Sequence, residues 1–126
     1  MNHSGLTYLA SPYSSANPAL CTWRFHAVAW YASTMMQKGH LVFSPIAHTH
    51  PIAEYGLPKG WDFWQRYDHH FLDSCTAMIV LKLSGWDKSI GIAEEIKIML
   101  HSGKPIEYHD FPAEGFRFVG QPPSQE

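Results

Sequence analysis

At 126 residues the chain has the length of one domain. Its 45% apolar content and 16% charged content support a sizeable core and exclude global disorder. A formal net charge of -2 is no basic footprint for duplex nucleic acid, and no apolar stretch approaches the length of a membrane span.

The N-terminus lacks a charged segment followed by a long apolar run, so no secretory signal is predicted. Cys21 and Cys75 lie in apolar surroundings without C-x-x-C spacing. Both are expected as buried thiols in a reducing, cytoplasmic setting.

Leu6–Ala10 reads as a short strand, and Ser11-Pro12-Tyr13-Ser14-Ser15 as the turn after it. Asn17 is a good N-cap and Pro18 suits the first helical position. The apolar residues Leu20, Trp23, Ala27, Trp30, Tyr31 and Met35 recur at helical spacing, predicting a helix from Pro18 to Lys38 that ends at Gly39. His40–Phe43 is the second strand, and a helical connection of this length implies parallel pairing. Ser44–Gly60, with three prolines and two glycines, is expected as a long excursion with little regular structure. Trp61–Ser74 is predicted helical. Ala77–Leu83 is the central strand, apolar enough to be covered on both faces. A helix after Lys88 runs to about Ser102, and Pro105–Tyr108 forms a further strand. Residues 109–126 form an irregular tail, in which Phe116–Val119 is a candidate short edge strand.

The alternation gives one domain, residues 1–126, of three-layer α/β/α class with a parallel sheet of four to five strands, flavodoxin-like or Rossmann-like. No G-x-G-x-x-G fingerprint follows the first strand and no P-loop occurs, so no nucleotide cofactor is indicated. The stretch Ser84–Ile96 places a helix N-terminus at the carboxyl end of the central strand, where open α/β sheets bind ligands. At about 100° per residue, Ile92, Ala93, Ile96, Met99 and Leu100 share one helix face. Glu95 lies at the edge of that stripe and is the carboxylate placed for a cleft. Glu94 falls on the far side near Lys97 as a surface charge.

Four stretches then occur together in order: Tyr8-Leu9-Ala10-Ser11-Pro12-Tyr13, Asp68-x-x-Phe71-Leu72, Ser89-x-Gly91-x-x-x-Glu95-Ile96 and Gly103-Lys104-Pro105-Ile106. This set resembles the nucleoside 2-deoxyribosyltransferase superfamily, which includes nucleoside 5′-monophosphate N-glycosidases. Phe43–Ile52 and Gly60–Trp64 further resemble a small bacterial and phage branch of it without established activity. The resemblance spans roughly residues 6–108. It implies cleavage or transfer at the N-glycosidic bond of a nucleoside or its 5′-monophosphate. It makes Glu95 the nucleophile, Asp68 the acid that protonates the leaving base (Asp73 being the alternate), and Tyr8 the residue that orients the glutamate. It also implies substrate contacts from Ser89 and Gly91, and from Ser11 and Tyr13 in the first turn. No cofactor is expected. A homo-oligomer is expected, because dimers and higher assemblies are usual in the superfamily, where a C-terminal Asn or Ser of a neighbouring subunit often completes the site. Here the tail offers Ser124 and no asparagine.

The chemistry is coherent on its own terms. A carboxylate beside an anomeric carbon stabilises or captures an oxocarbenium ion, and a second acid supplies the leaving group's proton. Trp61, Trp64 and Trp86 are candidates to stack a base. Arg24 is the cation suited to a phosphate, with a surface ion pair as its alternative. His48 and His50 are candidate rim donors to phosphate or base, with exposed loop histidines as their alternative. Two rival readings belong to other classes. One is a nucleotide-binding or sensor module without turnover. The other is a metal-dependent hydrolase in which His48 and His50, on one side of an extended segment, join His69 or His70 and Asp68.

Overall fold

The structure is a computed structural model and describes residues 5–117. Its elements are β1 (Thr7–Ala10), α1 (Pro18–Gln37), β2 (Val42–Phe43), α2 (Pro45–Ala53), α3 (Trp61–Ser74), β3 (Ala77–Leu81), α4 (Ile90–His101) and β4 (Ile106–His109). The four strands are parallel in the order β2-β1-β3-β4, the first four positions of the flavodoxin-like order. The three-layer α/β class read from the sequence holds. Phe116 and Arg117 are not in a strand, and Phe118 and Val119 lie outside the described residues.

Side chains alternate across a strand, and this alternation divides the core in two. Leu9, Ile79 and Leu81 face α1 and pack with Trp23, Ala27, Val28 and Met35. Tyr8, Ala10, Met78 and Val80 face the opposite layer and pack with Leu72 of α3 and with Ile92 and Met99 of α4. All five residues of β3 are buried, as expected for a strand with helices on both sides. After β4, Phe111 and Phe116 stand edge-on to Trp23 at 5.9 and 5.8 Å, so this part of the irregular tail covers the α1 layer.

Residues 44–60 depart from expectation. Pro45–Ala53 is a helix, not an irregular excursion. Ser44 caps it by accepting from the Ala47 amide at 3.0 Å, and Pro45 takes the first position, where its missing N–H costs nothing. Pro51 stands inside this helix, two residues before its end, where it forgoes one i→i−4 hydrogen bond without ending the helix.

Strand order fixes where the ligand cleft opens. From β1 the chain moves outward to β2, and from β3 it moves the other way to β4. The carboxyl ends of β1 and β3 therefore diverge, leaving a crevice between their following loops. A cleft of about 660 Å³ opens there, lined by residues 11–15, by the loop after β3, and by α3 and α4.

Candidate active site

Tyr8 sits on the face of β1 that meets α3 and α4. Its hydroxyl donates to Glu95 Oε2 at 2.6 Å, linking the sheet to α4. Tyr8 is fully buried and Glu95 is 5% exposed. The helical phase read from the sequence separates the two glutamates correctly. Glu94 is half-buried and pairs with Lys97 at 3.1 Å, while Glu95 turns inward with Ile92 and Met99. Asp68, on the buried side of α3 with Trp64 and Leu72, interacts with both Glu95 and Tyr8. Asp73 is exposed, which removes it as the alternate.

Burial dominates the electrostatics of this trio. It raises the Asp68 carboxyl to about 6, against the pull of the Glu95 and Tyr8 hydrogen bonds. It also pushes Glu95 well above the usual carboxylate range; the Tyr8 hydroxyl opposes that rise and the Asp68 charge adds to it. Burial, then the Glu95 and Asp68 charges, hold Tyr8 in its phenol form. Two carboxyl groups in one dry site cannot both ionise at little cost, so the two titrate together and burial favours one retained proton between them.

The cleft opens onto Glu95 and Asp68. Asp68 Oδ1 and Ser11 Oγ are buried and have no hydrogen-bond partner among the described residues. Buried polar atoms are ordinarily paired, so these two leave hydrogen-bonding capacity open toward the cleft. Ser11 and Tyr13 line the β1 side, Ser89 and Gly91 the α4 side, and Trp61 and Trp64 the α3 side. Trp61 lies across the start of α4, its ring 3.5 Å from where a Cβ on Gly91 would stand. Trp64 is anchored by its indole N–H, which donates to the Pro58 carbonyl at 2.7 Å. Ser89 is the N-cap of α4, its hydroxyl accepting from the Ile92 amide at 3.2 Å. At Gly85 the chain turns out of β3 through a positive φ of 93°, which a residue with a Cβ rarely adopts.

Arg24 does not lie at the surface. It is 5% exposed and lines the cleft. Its guanidinium donates to the Tyr13 and Ser14 carbonyls at 3.3 and 3.1 Å and to the Ser84 carbonyl at 3.0 Å. It thereby joins the loop after β1 to the loop after β3.

Three expected contacts lie elsewhere. His48 packs against Phe43 and Phe71 at 6.0 and 5.4 Å and does not line the cleft. Trp86 leans toward Tyr108 of β4 at 5.7 Å and is likewise not in the lining. Because α2 is helical, His48 and His50 point about 200° apart rather than to one side. Among the described residues no three His, Cys, Asp or Glu side chains converge as a metal site would need. His50 is not a rim donor either: it is absent from the cleft lining and supports Tyr13 from behind the wall. It is 7% exposed, and its Nδ1 meets the Tyr13 hydroxyl at 2.5 Å. No local pattern announces a contact across 37 positions.

No helix among the described residues is long and apolar enough to cross a membrane. No curated protein matches the chain. A family model described as a domain of unknown function (DUF1937) matches residues 5–110, most of the sequence and every element from β1 to β4. The chain belongs to this DUF1937 family.

Proposed function

We infer that the cleft cleaves or transfers at the N-glycosidic bond of a deoxynucleoside or its 5′-monophosphate. One observation carries this reading: the Tyr8–Glu95–Asp68 cluster, buried at the base of a cleft whose size suits a nucleotide. Glu95 Oε attacks the anomeric carbon, forming a C–O bond as the C–N bond breaks. The electron pair of that bond passes to the base, and Asp68 supplies the proton that makes it a neutral leaving group. Water or a second base then attacks the anomeric carbon and gives a proton to Asp68, freeing Glu95. The productive state places the retained proton on Asp68, and the Tyr8 hydroxyl favours it by stabilising the Glu95 carboxylate. Trp61 and Trp64 offer aromatic faces for the base. The same reading carries a cytoplasmic homo-oligomer as the working form.

The test is chromatographic detection of free base. Deoxynucleosides and their 5′-monophosphates are incubated with the protein, with and without an acceptor base, beside Glu95→Ala. Release or exchange that is lost in the variant supports the reading. A folded protein that turns over nothing defeats it. The deep burial that raises Glu95 favours a second reading, a nucleotide-binding module without turnover, because a protonated glutamate is no nucleophile. Ligand-induced stabilisation without product would identify that module.

A further inference from the structure

His50 takes no part in the chemistry above, yet it is held on two sides. Phe25 of α1 stacks on its ring at 4.3 Å and 23°. Tyr13 stands edge-on at 5.6 Å and 84°, with its hydroxyl on Nδ1. Tyr13 forms part of the cleft wall, and its carbonyl is held from the other end by Arg24. The next residue, Ser14, donates from its hydroxyl to the Lys59 carbonyl at 3.1 Å, and Lys59 is also in the wall. The wall is thus a short segment fastened at discrete points, one of them a histidine.

We propose that His50 is a positioning residue that fixes Tyr13 in the cleft wall while its Nδ1 carries no proton, so that the shape of the wall and its affinity for ligand follow pH. This rests on the cleft being a nucleotide site and not on any step of glycosidic cleavage. A neutral imidazole has one acceptor nitrogen, and the Tyr13 hydroxyl donates to it. Protonation turns Nδ1 into a donor. The Tyr13 hydroxyl must then rotate to accept, and a cation is left against the Phe25 ring in a buried place. The groups that bear on His50 come from every neighbouring element. Burial favours its neutral form, Glu54 on the same helix opposes that, and Lys59 and His26 of α1 reinforce it. The wall is therefore held at neutral pH and released as pH falls through the titration of His50.

The experiment uses the ligand-free full chain, labelled with nitrogen-15. Long-range proton–nitrogen correlation of the His50 ring should show Nδ1 without a proton and Nε2 with one. The Tyr13 and Ser14 amides should shift with the same midpoint as the ring. In His50→Asn the side-chain oxygen stands where Nδ1 was and does not titrate; the amides should keep their high-pH positions throughout. Tyr13→Phe should raise the His50 midpoint, because the donor that favours the neutral ring is gone. Deoxyadenosine 5′-monophosphate, titrated calorimetrically, should bind wild type about threefold to tenfold more weakly below the midpoint and His50→Asn equally at both pH values. A proton on Nδ1 at neutral pH, amide shifts that persist in His50→Asn, or an unmoved midpoint in Tyr13→Phe would each overturn the proposal. Failure of this nucleotide to bind at any pH counts against the nucleotide reading, while the amide titration still decides the role of His50.

Discussion

Tyr8 and Glu95 lie 87 positions apart in sequence and 2.6 Å apart through one hydrogen bond. That bond joins the central sheet to the helix carrying the proposed nucleophile, and both partners are buried. Tyr8→Phe removes the donor and leaves the Glu95 carboxyl short of a partner. The expected cost is about 1–3 kcal/mol of stability, read from urea unfolding. Base release should fall about 100-fold in kcat with KM little changed, as for a reacting group that has lost its orientation. A proportional loss in KM instead would mean that Tyr8 binds substrate.

The paired carboxyls predict a pH profile. Activity needs one proton on the pair, with Glu95 ionised. The first ionisation of the pair, carried at about 6 by the buried Asp68, sets the lower limb. Below it both groups are protonated and no carboxylate remains to attack, so kcat/KM should fall about tenfold per pH unit. Asp68→Asn should remove most of the activity toward substrates whose leaving base needs a proton and leave an acid limb set by Glu95 alone.

The same burial makes the site costly to the fold. A carboxyl whose folded value is raised gives stability that is full below its unfolded value and is lost as pH rises through the folded one. Both Glu95 and Asp68 are of this kind, so unfolding stability should decline from the acid side toward neutral and basic pH. Glu95→Gln keeps an oxygen for the Tyr8 hydroxyl and removes the charge. It should flatten that decline and gain about 0.5–2 kcal/mol above neutral pH while losing turnover. Thermal unfolding of both proteins across pH measures the difference.

Arg24 predicts a stability loss of another kind. Arg24→Met strips three carbonyls on two loops of a charged donor and should cost about 2–4 kcal/mol in urea unfolding. Arg24→Lys should recover less than half of this, because an ammonium group lacks the planar fork that reaches both loops.

The legible parts of the chain are those where neighbouring residues settle the matter. The stripe of α3 places it at 61–74, and Asn17 and Pro18 fix the start of α1. Helical phase alone divides Glu94 from Glu95. The segment after Ser44 is hard to read as a helix because Pro45 and Pro51 are breakers in most contexts, although Ser44-Pro45 is itself a helix-start signal. An extended reading gives His48 and His50 a shared direction that the helix denies them. The contacts of Arg24 and His50, both named from the sequence as candidates, are opaque for a different reason. Their partners, Ser84 and Tyr13, come from segments 60 and 37 positions away, and no periodicity within α1 or α2 encodes them.

The division of the sheet into two faces has a consequence for how the chain can change in length. Within β1, Tyr8 and Ala10 face one layer and Leu9 the other. Deleting one residue from the strand would leave an apolar segment still able to pair with β2 and β3. Its parity would be inverted, sending the phenol toward α1 and an aliphatic side chain toward Glu95. The folded framework is thus more tolerant of such a deletion than the chemistry, and sequence drift that alters the length of β1 would extinguish the site before it dismantled the domain.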